Sequence, residues 1–149
     1  MKIFVASDHA GYELKNNFIK AIHRLMDYDD ILKPIIVHNL GTHDTQSVDY
    51  PDYAKKVCAE ILQDRAEFGI LVCGTGIGMS MAANKIVTIR AALCNDVYAA
   101  EMTRKHNDAN VLCLGARTVN PFIVRDIVNI FLKTEFEGGR HETRIRKFS

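Results

Sequence analysis

Five short runs of apolar residues, separated by stretches with helical spacing, are the feature that most limits what this chain can form. The runs span residues 3–6, 35–38, 68–73, 89–94 and 110–114. Each run is continuous rather than alternating, as expected of strands in a parallel sheet that is covered on both faces. Strand alternating with helix predicts an open α/β sheet with helices on both sides. We therefore expect one three-layer α/β/α domain over residues 1–149, with a five-stranded parallel sheet.

The stretches between and after the runs have the periodicity of amphipathic helices. Apolar side chains recur at intervals of three or four residues, which places them on one helical face. Three such faces are predicted, one formed by Leu14, Phe18, Ile22 and Leu25, one by Tyr53, Val57 and Ile61, and one by Ile123, Ile127 and Ile130, widened by Val124, Val128 and Phe131. Such sheets bind ligands at the carboxyl ends of their strands, where the strand order reverses.

The charge balance and the cysteine pattern narrow the class of protein. The chain has 19 lysines and arginines and 18 aspartates and glutamates, so no large net charge would attract nucleic acid or a membrane surface. No apolar run approaches the length of a membrane span or of a signal-peptide core. The four cysteines form no CxxC pair and no zinc-ligand spacing, which is typical of free thiols in a reducing compartment. We expect a cytoplasmic protein with a local site for a small ligand.

The most informative segment is the glycine-rich turn Cys73-Gly74-Thr75-Gly76-Ile77-Gly78, which follows the third run. A helix containing residues 82–85 is expected after it. Glycines let a backbone approach an anion closely, and the first N–H groups of the helix then point at that anion. The spacing is neither that of a P-loop nor GxGxxG, so a nucleotide site is not indicated. The plainer interpretation is a tight turn that only packs on its neighbours.

Cys73 opens this turn and is the first candidate for chemistry. A thiol at a helix N-terminus can ionise near neutrality, and a thiolate there can attack an electrophile or remove a carbon-bound proton. An inert core cysteine is the alternative. The other three cysteines, Cys58, Cys94 and Cys113, are expected to be core or near-core residues.

Acid–base side chains flank other strands. Asp8 and His9 follow the first strand at the edge where Cys73 is predicted, although Asp8 also suits a cap of the first helix. His106 and Asn107 combine an acid–base group with an amide that could bind an oxyanion. The plainer interpretation of this second pair is a polar loop with a helix cap.

Three arginines are candidates for contacts with an anion. Arg117 directly follows the fifth strand and so lies on the ligand side. In the charged tail over residues 134–149, Arg140 and Arg144 are four residues apart. A helix there would place both guanidinium groups on one face, where they could grip a phosphate together. A solvated basic end is the simpler interpretation. Four histidines show no partner by spacing and stay unassigned, namely His23, His38, His43 and His141.

Taken together, these segments resemble the ribose-5-phosphate isomerase type B family, which is related to the galactose-6-phosphate isomerase subunits. The matching pieces follow the family's order along nearly the whole chain, and they are Ser7-Asp8-His9-Ala10-Gly11, Asp49-Tyr50-Pro51, Cys73-Gly74-Thr75-Gly76-Ile77-Gly78, Ala83-Asn84-Lys85, Ile89-Arg90-Ala91, His106-Asn107-Asp108-Ala109-Asn110-Val111 and Glu137-Gly138-Gly139-Arg140-His141. The family fold agrees with a Rossmann-like α/β/α domain that ends in a charged helical tail. Residues 26–34 depart from it, because they are longer than the family's usual turn before the second strand.

The resemblance implies an enzyme that interconverts ribose 5-phosphate and ribulose 5-phosphate with no metal or cofactor. It implies that Cys73 is the base that moves a proton between C1 and C2 through an enediolate, with Thr75 beside it as a catalytic residue. Residues 74–80 contain no acid, so the glutamate form of the family does not apply. Asp8 and His106 would assist opening of the furanose ring.

The resemblance also implies the substrate contacts and the assembly. The phosphate would be held by His9, Arg117, Arg140 and Arg144, the sugar by Tyr50, and the enediolate by Asn107 and by backbone N–H groups of the turn that contains Gly74, Gly76 and Gly78. The active site would be shared between two subunits of a homodimer or of a dimer of dimers.

Two alternatives remain at this stage. One is an isomerase for a six-carbon sugar phosphate, such as allose 6-phosphate or galactose 6-phosphate. The other is a phosphosugar-binding module without catalysis. The combination of Cys73, Asp8 and His106 argues against the module, because a protein that only binds its ligand needs no base.

Overall fold

The structure is a computed structural model that describes residues 1–26 and 35–148. Its five parallel strands form one sheet in the order β2-β1-β3-β5-β4, and they are β1 (Lys2–Ser7), β2 (Ile36–Asn39), β3 (Phe68–Cys73), β4 (Ala91–Leu93) and β5 (Val111–Gly115). The predicted five-stranded parallel sheet is confirmed. β4 is shorter than the predicted run, because the Arg90 N–H before it donates to the side-chain Oδ1 of Asn110 at 2.8 Å. At Ala91, where β4 begins, the Asn84 side chain donates to the carbonyl and accepts from the N–H, each at 2.8 Å.

Six helices connect and follow the strands, and they are α1 (Tyr12–Met26), α2 (Tyr50–Leu62), α3 (Ile77–Ala83), α4 (Val97–Asn107), α5 (Val124–Lys133) and α6 (Arg140–Ile145). α6 confirms the helical tail. α3 is shorter than expected, since Asn84 caps its end. Ile123 was predicted on the face of the last long helix, but it lies in a 3-10 turn over Pro121–Ile123, where Asn120 Oδ1 accepts the N–H of Phe122.

The three central strands β1, β3 and β5 bury both faces, which explains why their apolar runs are continuous. The edge strands differ from the prediction of buried strands, since β2 is mostly exposed and β4 is partly buried. Ile3 and Val5 of β1 face a core that also contains Phe18 of α1 and Ile127 of α5. Phe4, on the opposite face of the same strand, belongs to a second core with α2 and α3, whose members include Val57, Cys58 and Met79. Each fully buried aliphatic side chain contributes about 1.5–3 kcal/mol. This arrangement is the predicted three-layer architecture.

The strand order brings three loops together at one edge of the sheet. β1 lies between β2 and β3, so the chain reverses its direction across the sheet next to β1. β5 then returns to lie between β3 and β4. The residues that follow β1, β3 and β5 are therefore neighbours at the carboxyl edge, where parallel sheets bind ligands.

A buried lysine holds the end of β2. The side chain of Lys15, on α1, is fully buried. Its Nζ donates to Asn39 Oδ1 at 2.9 Å and to the Thr42 carbonyl at 2.5 Å. Burial lowers the pKa of this ammonium group to about 8.

In the described part of the chain, no helix combines the length and the apolar character needed to cross a membrane. Most of the predicted long turn over residues 26–34 lies outside the described residues.

Candidate active site

The predicted site residues fall into two groups at opposite ends of the sheet. The first, here called the cysteine edge, comprises Asp8, His9, Tyr50, the turn over residues 73–78 and Arg117, and it lies at the carboxyl ends of the strands. The second, here called the histidine end, comprises His106, Asn107, Arg140 and Arg144, together with His141, which the sequence left unassigned. These residues belong to the last turn of α4 and to α6.

Cys73 is the last residue of β3 and is 5% exposed. Its Sγ accepts the backbone N–H of Gly76 at 3.1 Å. Gly76 has φ +75°, a left-handed conformation that folds the turn back so that its N–H faces the sulfur. The glycine turn thus gives the sulfur a fixed hydrogen-bond donor.

The other three cysteines are buried in the core. All four cysteines are free. Burial raises the pKa of the Cys58 thiol to about 11 and that of Cys94 to about 12, with Asp96 adding to the effect at Cys94. Burial also raises the pKa of Cys113. These three side chains match the predicted core or near-core role.

Asp8 lies beside Cys73 in the sheet. Ser7 and Val72 are the last paired residues of β1 and β3, so Asp8 and Cys73 follow them on adjacent strands. Asp8 Oδ1 accepts the N–H of Gly11 at 3.0 Å. The alternative role of Asp8 in starting the first helix is therefore visible as well, since this bond closes the turn that leads into α1. The carboxylate keeps its second oxygen for other partners.

His9 projects from the same loop and is partly buried. Its Nδ1 accepts the N–H of Val48 at 3.2 Å. A neutral imidazole that accepts at Nδ1 carries its proton on Nε2. The contact therefore occupies Nδ1 of His9.

Tyr50 and Arg117 enclose the glycine turn. A Cβ on Gly78 would lie 2.7 Å from Cζ of Tyr50, so the phenol ring lies against the first turn of α3. A Cβ on Gly74 would lie 3.4 Å from Nη1 of Arg117, which puts the guanidinium over the turn. The Arg117 N–H also donates to the Gly74 carbonyl at 2.9 Å. Thr75, between Gly74 and Gly76 on the same turn, is exposed.

The histidine end begins with the last turn of α4. His106 is partly buried and Asn107 is exposed. Asp108 follows as the cap in a left-handed conformation, with φ +46°. The alternative of a helix cap is therefore also observed here, and it holds the two preceding residues in place.

Two arginines fix this cap, and sequence reasoning missed both of them. Arg90 Nη2 donates to Asp108 Oδ2 at 2.7 Å, and its Nε donates to the Asn107 carbonyl at 3.0 Å. Arg104 Nη1 donates to Asp108 Oδ1 at 2.9 Å and to the Ala109 carbonyl at 2.6 Å. Arg90 belongs to a motif that the sequence singles out, but its spacing says nothing about this partner.

α6 lies against α4 and presents the tail arginines. Arg140 and Arg144 lie one turn apart on the helix, as the spacing predicts, and both are exposed. Across residues 1–26 and 35–148, neither side chain forms an ion pair with an acid. His141, on the same helix, is buried and stacks on His106 with ring centroids 4.3 Å apart. Sequence spacing left it unassigned.

One chain does not bring the two groups together. α4 starts beyond the carboxyl end of β4 and ends before the amino end of β5, so it runs from one edge of the sheet to the other. Its 11 residues span about 16 Å. Cys73 and His106 of the same chain thus lie at different ends of the molecule, well beyond hydrogen-bond reach of a common reacting atom.

His106, Glu137 and His141 are the one group of three histidine, cysteine or acidic side chains in the described residues whose ligand atoms lie close enough for a metal ion, within 4.8 Å of one another. The two imidazole planes are inclined by only 12°. The lone pairs of ring nitrogens lie in the ring plane, so in a parallel stack the lone pairs of the two rings point in parallel directions. The two imidazoles are therefore not oriented to bind one metal ion together.

A cleft of about 490 Å³ lies next to the histidine end. Residues 84–92 form one wall, and Thr103, Asn107, Ala109 and Phe148 form the other. Asn107 is the one predicted site residue that lines it. The cleft therefore opens at the amino edge of the sheet, away from Cys73.

Comparison with known proteins agrees with this architecture. Residues 3–148 match a family model described as Ribose/Galactose Isomerase. Ribose-5-phosphate isomerase B of Escherichia coli is 38% identical, covering 97% of this chain and 91% of that protein. The solved structure of the Clostridium thermocellum ribose-5-phosphate isomerase B has a TM-score of 0.91 at 46% identity, covering 99% of this chain and 94% of that one.

A second solved structure holds a ligand. It is the ribose-5-phosphate isomerase B of Mycoplasma genitalium with bound ribulose 5-phosphate. It has a TM-score of 0.87 at 40% identity and covers 98% of this chain and 92% of that one.

Proposed function

The chain belongs to the ribose/galactose isomerase family, and from this premise we propose that it interconverts ribose 5-phosphate and ribulose 5-phosphate. The observation that carries the proposal is the Cys73 sulfur, held at the mouth of a glycine turn by the Gly76 N–H. Aldose–ketose isomerisation removes a proton next to a carbonyl, and a fixed thiolate is a suitable base for that step. The pentose phosphate pathway is the metabolic setting in which this conversion belongs.

The reaction needs a base, an acid and stabilisation of the enediolate. Cys73 removes the proton from one carbon and returns it to the other, with Thr75 beside it on the turn. Because the Gly76 N–H is directed at the sulfur, it serves the base, which leaves the other N–H groups of residues 74–78 and the Asn107 amide for the enediolate oxygens. The phosphate lies far from the reacting carbons, so its binding energy can orient them.

Asp8 and His106 act on the closed sugar before the proton transfer. Ribose 5-phosphate exists mainly as a furanose, in which no carbonyl is free. Opening the ring requires a proton on the ring oxygen and removal of one from the C1 hydroxyl. A carboxylate and an imidazole on the two sides of the sugar provide these two transfers.

The separation of the two groups supports a shared active site. In a symmetric dimer, the cysteine edge of one subunit meets the histidine end of its partner, and each dimer has two such sites. Cys73, Asp8, His9, Tyr50 and Arg117 then come from one subunit. His106, Asn107, Arg140 and Arg144 come from the other. The four free thiols suit a reducing compartment, and we assign the enzyme to the cytoplasm.

The first experiment measures conversion of ribose 5-phosphate by purified protein in EDTA, with allose 6-phosphate assayed in parallel. We expect turnover of the pentose that survives the chelator and is lost in Cys73→Ala, while that variant keeps the wild-type circular dichroism and unfolding midpoint. Turnover of the hexose alone would move the substrate within the family. Binding of either sugar phosphate without turnover would support the binding module instead.

The shared site has a separate test in mixed dimers. Cys73→Ala and His106→Asn are each expected to be inactive alone. Unfolding them together and refolding gives half heterodimers, each with one intact site and one site that lacks both residues. The mixture should therefore recover about 25% of wild-type activity. An equal mixture that stays inactive, although mass spectrometry shows heterodimers, would contradict the shared site.

A further inference from the structure

The stacked pair of His106 and His141 carries an inference that rests on the proposed function. The two rings are nearly parallel, with an angle of 12° and a centroid distance of 4.3 Å. His141 is 6% exposed, and His106 is partly open to solvent. One face of His106 is therefore covered by a buried neighbour while the ring edge stays accessible.

His141 is itself held to α4 by the segment before it. The Glu137 N–H donates to the Lys105 carbonyl at 3.1 Å, which attaches the tail to the residue before His106. The His141 N–H donates to the Gly138 carbonyl at 3.1 Å. Glu137 Oε2 lies 3.6 Å from His141 Nε2. The backbone of both histidines is thus fixed, and the stack is a consequence of that fixed geometry.

The charges around His141 oppose a second positive ring. Burial lowers the pKa of His141 first, and the neighbouring His106, Arg140 and Arg144 lower it further, while Glu137 acts in the opposite direction. Lys105, also on α4, carries a further positive charge, and its Nζ forms an ion pair with Glu101 at 2.7 Å. His141 therefore stays neutral at neutral pH, and a neutral ring does not repel a proton on His106.

We propose that His141 is a positioning residue for His106, which holds that imidazole by stacking in the orientation that delivers a proton to the furanose ring oxygen. It touches neither substrate nor reacting atoms. A flat neutral ring at position 141 is sufficient for the role, and the ring nitrogens of His141 are not required.

The test exploits the difference between the two substrates. Ribose 5-phosphate must be opened, whereas ribulose 5-phosphate is already an open chain. His141→Ala should lower kcat for ribose 5-phosphate about 10–100-fold, within the range of general acid catalysis. Its KM should change less than about twofold, and kcat/KM for ribulose 5-phosphate should fall by the same factor, because the equilibrium constant fixes the ratio of the two directions. Exchange of the C1 hydrogen of ribulose 5-phosphate with D2O needs no ring closure, so it should fall much less.

His141→Phe is the conservative variant, since it keeps a flat neutral ring. We expect it to restore kcat for ribose 5-phosphate to within about threefold of wild type. His23→Ala is the matched control, because that histidine is exposed on α1 away from both groups, and it should match wild type. Competitive inhibition by inorganic phosphate reports whether Arg140 and α6 are still in place, and it should be unchanged in every variant.

Several results would overturn the proposal. An unaffected His141→Ala variant would do so, as would equal losses of isomerisation and of C1 hydrogen exchange, or equal losses in the Ala and Phe variants. If His141→Ala fails to fold, imidazole ¹⁵N NMR of the wild-type enzyme gives an independent result, because a protonated His141 at pH 7 also contradicts it. Absence of wild-type turnover on ribulose 5-phosphate would instead refute the proposed function.

Discussion

Replacing Gly76 by alanine should damage both the stability and the chemistry of the glycine turn. Gly76 has φ +75°, which costs a residue with a Cβ about 1–2 kcal/mol. The new Cβ would lie 2.5 Å from Leu93 Cδ1 and 2.9 Å from the carbonyl carbon of Leu114. The leucine side chain can rotate away, but the backbone of β5 cannot move without disturbing the sheet. Overpacking of this kind costs about 1–3 kcal/mol, so the total is about 2–5 kcal/mol.

Gly138 offers a matched control for the steric part. It also has a positive φ, +66°, but nothing lies within 4 Å of a Cβ placed there. Gly138→Ala should therefore cost only the backbone strain, about 1–2 kcal/mol. Both variants would be compared with wild type by urea unfolding at one protein concentration, because the stability of the proposed dimer would depend on concentration.

The two variants should also differ in activity. Gly76→Ala displaces the N–H that lies 3.1 Å from Cys73 Sγ, so turnover should fall by more than the unfolded fraction explains. Gly138→Ala leaves that contact untouched. Equal losses of unfolding free energy in the two variants would show that the contacts of Gly76 with β5 are not limiting, and the reasoning from packing would be refuted.

Two further predictions concern charged side chains. Asp108→Asn keeps the left-handed cap but removes the charge shared by Arg90 and Arg104, so it should lower the unfolding free energy by about 1–2 kcal/mol and reduce turnover. The control is Asp126→Asn, at an exposed pair 3.6 Å from Arg125, which should lower it by less than about 0.5 kcal/mol. Equal losses of unfolding free energy in urea would contradict a stabilising role for the two arginines at Asp108. The pKa of Lys15 is about 8 in the fold against 10.5 for an ordinary lysine, so the unfolded chain binds more protons between these values. Wild type should therefore gain about 2 kcal/mol over Lys15→Met between pH 8 and 10, and a difference in unfolding free energy that does not vary with pH would refute this.

The sheet was predictable because local sequence determines it. A strand covered on both faces must be apolar at every position, and the continuous runs around β1, β3 and β5 show this directly. The position of Cys73 at the end of β3 was predictable for a similar reason, since the apolar run ends there at the glycine turn. Boundaries failed where a side chain replaces the backbone, as Asn110 does at Arg90, because spacing does not show which amide a side chain will reach.

The residues that sequence missed all depend on contacts between distant segments. Arg90 reaches Asp108 across 18 positions, and His141 meets His106 across 35. No periodicity relates such pairs, and each residue alone has an ordinary interpretation as a surface cation or a loop histidine. The sequence pattern predicts which chemical groups belong to a site, but only the fold shows which of them are neighbours.

The same limit explains why the site is divided between the two ends of the sheet. Parallel strands force every helix to run back from the carboxyl edge to the amino edge, so the beginning and the end of α4 cannot lie at the same edge. A side chain at the beginning of α4 would have lain near Cys73, whereas His106, at its end, lies about 16 Å along the helix from that edge. Under the proposed mechanism, with the base after β3 and the acid at the end of α4, a second copy of the chain is needed to complete the reaction. Dissociating the dimer should therefore abolish isomerisation even where each subunit stays folded.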